Sequence, residues 1–295
     1  VTTLEAQVWR AAAETHRVEV EGELADVVYR RDRGQRHPVD DFLFHYYNLR
    51  PSQLAQWHPG AGVALDDAAE YADRPFYSSV DGVARLDVGA FLAKRGATVV
   101  TARDLLAATA SAAPRFGCFG MHEWAMVYRL EPDETRHPYL QLRFPPDALA
   151  KIVEDVGCRC SHFDAFRFFT PAAKPLNLVA PSRDRQAELD QPGCLHVNMD
   201  LYKWASKLSP AVPSTVLLDT FRLARRIRRV DMAASAYDLS DWGIEPIRVE
   251  TPAGRADYVE RQKGFAAEAA PLRTALLEIA EDLLNREPSL VRRQG

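Results

Sequence analysis

The sequence has little cysteine and no long apolar run. Of 295 residues, only four are cysteine. No stretch approaches the roughly 18 consecutive apolar residues that a membrane-spanning helix needs, so no membrane partner is expected. Cys158 and Cys160 are one residue apart, and four cysteines spread over this length do not make the framework of a small disulfide-stapled domain. The opening residues, from Val1 to Trp9, lack both a basic segment and an apolar one, so no secretory signal is expected and a reducing cytoplasm fits best. Broad positive charge is missing too. The 37 Lys and Arg against 41 Asp and Glu give a net charge of −4, which argues against indiscriminate coating of nucleic acid. Cys-x-x-Cys and His-x-x-x-His spacings, internal repeats and low-complexity tracts are also absent.

The composition that remains, 47% hydrophobic and 26% charged, is that of an ordinary soluble globular protein. Its periodicities predict one compact domain over 1–295, mainly α with small β additions (α+β). Residues 4–30 read as one long or two shorter helices, 30–38 as a charged connector, 39–47 as a buried helix and 51–57 as a short one. Gly, Asp and Pro make 58–100 a loop-rich insert with short strands. A helix capped by Thr101 follows over 101–113, another over 123–130, a strand over 140–144 and a helix over 146–156. The four prolines of 170–192 indicate an ordered loop. Residues 214–231 form an amphipathic helix with Ser214 as its cap. A C-terminal amphipathic helix covers 257–287, its stripe stepping from Phe265 to Leu283 and kinked at Pro271.

Three segments concentrate the chemistry: Gly117–Trp124 (GCFGMHEW), Cys158–Asp164 (CRCSHFD) and Gly193–Asp200 (GCLHVNMD). They contain all four cysteines and three of the eight histidines, each beside a carboxylate and large aromatics. Cysteine and tryptophan prefer burial, and histidine and aspartate need partners when buried. If the segments meet in space, they form a polar pocket in an apolar wall. His162 and Asp164 lie on one side of an extended backbone, and His196 completes a two-histidine, one-carboxylate set suited to non-haem Fe. Cysteines two residues before His162 and His196 also permit Zn. The same residues suit a flat heteroaromatic base. Trp124, Tyr128, Phe166, Phe168 and Tyr202 offer stacking faces, His122, His196 and Asn198 offer edge contacts, and Asp164, Glu123 or His162 offers acid–base or charge-stabilising chemistry. On the 214–231 helix, Arg222, Arg225, Arg226 and Arg229 lie off the apolar stripe, either as a phosphate clamp or as a solvated face.

The strings HPVDDFLFHYY (37–47), QWHPG (56–60), FGCFGMHEWAMVYR (116–129), CSHFDAFRFFTP (160–171) and QPGCLHVNMDLYKW (191–204) carry a resemblance to a family of actinobacterial-type proteins commonly labelled 3-methyladenine DNA glycosylase. The resemblance runs across nearly the whole chain. It implies hydrolysis of the N-glycosidic bond of an alkylated purine, with DNA as the partner. The residues alone leave two other expectations open: a Fe- or Zn-dependent enzyme acting on a small heteroaromatic or polar molecule, and a protein that binds a nucleobase-like ligand without turnover.

Overall fold

The computed structural model describes residues 2–47, 49–131, 134–135 and 137–286. A four-stranded sheet forms one edge of the molecule. Its strands are β1 (Thr2–Leu4), β2 (Val63–Leu65), β3 (Tyr77–Val80) and β4 (Val83–Leu86), in the order β1-β2-β4-β3. β1 runs parallel to β2, and the other pairs are antiparallel. The helices are α1 (Ala6–Asp32), α2 (Phe42–Tyr46), α3 (Pro51–Leu54), α4 (Val88–Ser111), α5 (Met121–Ala125), α6 (Pro146–Val156), α7 (Phe163–Phe166), α8 (Gln186–Leu189), α9 (Leu195–Leu208), α10 (Ser214–Ala233) and α11 (Pro252–Arg286). The fold is therefore mainly α with a small sheet.

One apolar core extends from α1 through α4, α9 and α10 to α11. α9 lies at its centre, packed against α4, α10 and α11. It is buried on most sides, polar residues included, with Lys203, Ser206 and Lys207 forming its narrow solvent-facing strip. No helix is expected there from the sequence. A smaller core, including Trp9, Trp57, Leu65 and Tyr71, seats the sheet on the start of α1.

Several boundaries differ from the sequence reading. The N-terminal helix is continuous, but residues 2–4 pair as a strand. α4 begins at Val88, where the Asp87 carboxylate accepts the Ala90 N–H at 2.9 Å; Thr101 lies inside the helix and donates to the Ala97 carbonyl. Gly89 and Gly96 hid that continuity, since glycine weakens a helical pattern. The expected strand at 140–144 is reduced to a single bridge between Leu142 and Tyr237. Ser214 does not cap α10 with its side chain; its Oγ accepts the His58 N–H and donates to the Gln56 carbonyl. Pro271 lies inside α11, and residue 287 lies outside the described residues.

The arginine row of α10 joins helices together. Arg222 pairs with Glu19 and Glu23 of α1, Arg225 with Glu23, Arg226 with Glu268 of α11, and Arg229 with Asp40. These guanidinium groups are already neutralised by carboxylates and do not form a free phosphate clamp. Exposed pairs of this kind each contribute about 0–1 kcal/mol, so they set the angle of α10 more than its stability.

Where the sheet meets the body, His58 stacks on Tyr77 and its Nδ1 lies 3.1 Å from the Tyr77 hydroxyl. Burial, helped by Arg74 and His16, lowers its pKa to about 4. In the unfolded chain a histidine titrates near 6.5, so below that pH the unfolded state takes up a proton that the folded state refuses. Stability is therefore lost as pH falls from about 6.5 to about 4. His58→Gln should remove about 2–3 kcal/mol of acid sensitivity between pH 7 and 4.5. Urea-unfolding midpoints of both proteins at the two pH values measure this, and an equal acid loss in both would place the sensitivity elsewhere.

Candidate metal centre

The three segments do meet. Phe119 and Gly120 both adopt left-handed backbone angles, φ 48° and 72°, which turn the chain sharply into α5. A Cβ on Gly120 would lie 3.2 Å from the Ala234 Cβ, so both conformation and space call for glycine there. The left-handed Phe119 is costly for a bulky residue, and such backbone strain concentrates at functional sites. The turn aims His122 and Glu123 at the C-terminal end of α10, which supplies Arg228 and Asp231. Trp124 locks the arrangement by donating its indole N–H to the Ala234 carbonyl at 2.8 Å. His196 enters from the first turn of α9.

At the centre, His122 Nε2 lies 2.9 Å from Asp231 Oδ1, and His196 Nε2 lies 3.9 Å from Asp231 Oδ2. The two imidazoles meet edge to face, with centroids 4.5 Å apart. One ligand atom from each of His122, His196 and Asp231 lies within 4.8 Å of the other two, and all three residues are buried. His122 Nε2 and Asp231 Oδ1 form a buried ion pair, and neither atom has a further hydrogen-bond partner among the described residues. His196 makes no hydrogen bond to the described residues. Arg228 donates to Glu123 at 2.7 Å and to Asp231 Oδ2 at 3.1 Å. Two buried carboxylates thus face one buried guanidinium, leaving one negative charge uncompensated.

The titration behaviour follows from that imbalance. Burial opposes charge on His122, but Asp231 outweighs it and raises the pKa. Burial, followed by the charge of His122, holds His196 well below its usual value. Burial alone would raise Asp231; His122, His196 and Arg228 instead hold it far below the carboxylate range. A proton on His122, or a cation between the imidazoles and the carboxylate, would supply the balancing positive charge.

His162 belongs to a neighbouring cluster. It caps α7: its Nδ1 accepts the Ala165 N–H at 3.3 Å, which leaves the proton on Nε2, directed at Asp200 Oδ2 at 3.3 Å. Asp200 also accepts from Tyr47 at 2.9 Å and pairs closely with Lys203, which lies 3.9 Å from Asp164. His162, Asp164 and Asp200 cluster closely enough to hold a cation, but the Lys203 ammonium already fills that role. The expected set of His162, Asp164 and His196 is corrected on this point. His162 only stacks on His196, centroids 5.3 Å apart, with both its nitrogens engaged. His196 instead groups with His122 and Asp231.

Two cavities flank His196. One, of about 320 Å³, is lined by His122, His196 and three cysteines, Cys118, Cys160 and Cys194. Burial raises the pKa of all three thiols, so this wall stays uncharged. The other, of about 220 Å³, is lined by Glu123, Asp164, Arg228 and the rings of Phe42, Tyr46 and Phe168. Glu123 and Asp164 thus face a cavity, as expected, whereas His162 lines neither.

Most of the expected stacking residues serve the core. Trp124 and Tyr202 are fully buried, and Tyr202 packs on Tyr47 and Phe221. Tyr128 donates to Glu154 at 2.6 Å, and Phe166 packs against Phe169. Asn198 is a clamp, donating to the Pro192 carbonyl and accepting from Arg273. Asp231 and Arg228 were missed, although a signal existed: both fall on the apolar stripe of Leu217, Phe221 and Ala224, where a charged residue has to be buried. Against protein-family models, curated proteins and solved structures, the chain gives no match.

Proposed function

We propose that this protein is a metal-dependent enzyme acting on a small molecule, with His122, His196 and Asp231 holding one divalent ion beside the two cavities. The observation that carries this reading is the convergence of three buried ligand residues: His122 Nε2, paired with Asp231 Oδ1 at 2.9 Å, and the His196 imidazole, with one ligand atom from each within 4.8 Å of the other two. Two histidines and one carboxylate are the donor set of non-haem iron(II), with zinc the competing ion. Three protein ligands leave coordination positions for substrate or water, where an ion acts as a Lewis acid. Arg228, paired with both Glu123 and Asp231, orients the carboxylate ligand, as partners of metal ligands commonly do.

Elemental analysis of protein purified without chelator tests the reading. About one equivalent of iron or zinc is expected. His196→Ala should abolish it, with circular dichroism showing that the variant is still folded. No bound metal, together with no uptake in an anaerobic Fe(II) or Zn(II) titration, would remove the proposal.

The second cavity supports another reading, the glycosylase that the family resemblance implies. Its aromatic rings and the half-buried Asp164 suit a flat purine and the positive charge that develops on the sugar as a glycosidic bond breaks. Release of free base from an alkylated duplex, lost in Asp164→Asn, is the outcome that would favour it.

A further inference from the structure

The larger cavity has a chemically divided lining. Its inner end is His122 and His196, its walls are apolar, and its mouth bears Arg115 and Arg159, both exposed. Neither arginine pairs with a carboxylate among the described residues, in contrast with the arginine row of α10. Arg115 is held in place: Gln191 accepts its backbone N–H at 2.7 Å and donates to its carbonyl, while one guanidinium N–H reaches the Leu189 carbonyl. That leaves most of the guanidinium donors available to a ligand. Arg159 lies across Gly117, its Nη1 3.4 Å from where a Cβ would stand.

A further feature points the same way. Leu178, also in the lining, is 74% exposed, an apolar surface left in water at the mouth of the cavity.

We propose that this cavity takes an amphiphilic anion, a small molecule with an apolar body and a terminal carboxylate or phosphate. The acid group lies between Arg115 and Arg159, the body runs along Leu178 and the cysteine wall, and the far end reaches His122 and His196. The proposal names the substrate class for the metal-site reading and rests on it only for which end of the molecule would react. A volume of about 320 Å³ limits that molecule to the low end of ligand size.

Isothermal titration of the full chain with octanoate, octyl phosphate and 1-octanol tests it, each on metal-loaded and on chelator-treated protein. At least one of the two anions is expected to bind, with octanol at least tenfold weaker. Octanoate alone would identify a carboxylate, and octyl phosphate alone a phosphate. In the double variant Arg115→Gln, Arg159→Gln, affinity for the anion should fall at least tenfold with thermal unfolding unchanged, since both side chains are exposed. Octanol binding as tightly as the anions, anion binding indifferent to the two arginines, or no binding of any probe would each overturn the proposal. Arginine-dependent binding by a protein that never takes up metal would sink the metal reading and leave this one standing. Full metal occupancy with no anion binding would do the reverse.

Discussion

Replacement of Asp231 by alanine should remove metal binding and cost more stability than any other single change in the site. The carboxylate is completely buried and faces three partners, His122, His196 and Arg228. Removing one member of a buried charge network leaves the others uncompensated, a loss of about 3–5 kcal/mol. Arg228 would keep only Glu123. Loss of a charged ligand should weaken metal affinity by more than the roughly 10- to 100-fold seen when an outer partner of a ligand is lost. Asp231→Asn separates the two effects, since the amide oxygen still accepts from Arg228 while the charge is gone. Denaturant unfolding with and without chelator, beside metal analysis, measures both. In the wild type, a chelator should lower stability by the binding linkage, and in Asp231→Asn it should do nothing. If the chelator leaves the wild type unchanged, the centre is a proton-balanced ion cluster, with its extra charge on His122.

Asp200→Ala should be nearly as destabilising yet leave the metal in place. Asp200 is the shared acceptor of His162, Lys203 and Tyr47, all pointing inward. Its loss costs about 3 kcal/mol, toward the lower end of the range because Lys203 can still reach water. Burial acts to raise the Asp200 pKa, but Lys203 and His162 together hold it far below the ordinary carboxylate value. A depressed carboxylate stabilises the folded state above its unfolded pKa of about 3.9 and loses that contribution as pH falls further. Asp200→Asn should therefore flatten the wild-type loss of stability below pH 4, while iron or zinc content stays at the wild-type level. Loss of metal in this variant would mean that the two clusters act as one centre.

These two aspartates also show how far sequence carries. Asp200 ends one of the three dense segments and was placed with them, while its role as the counter-ion of Lys203 was not visible. Asp231 lies outside every motif. Its partners, His122 and His196, are 109 and 35 residues away along the chain, and no local pattern encodes an approach of that kind. The amphipathic period of α10 did encode which of its faces is buried, so a charge on that face was a legible sign of a buried pair.

By itself the sequence determined the helical class of the fold, the extent of α6 and α10, the short strands within 58–100, and the three dense segments that the fold brings together. Those properties depend on neighbours in the chain, on spacing, capping and composition. Only the tertiary structure decided which carboxylate each histidine faces. It also decided whether the α10 arginines are free. Such questions turn on which side chain from a distant element arrives first at a buried atom. His162 has its Nδ1 taken by its own helix start and its Nε2 by Asp200, whereas His122 and His196 share the one carboxylate of Asp231, at 2.9 and 3.9 Å. Packing of α5, α9 and α10 makes that difference, because a buried polar atom takes whatever partner the fold brings within about 3 Å.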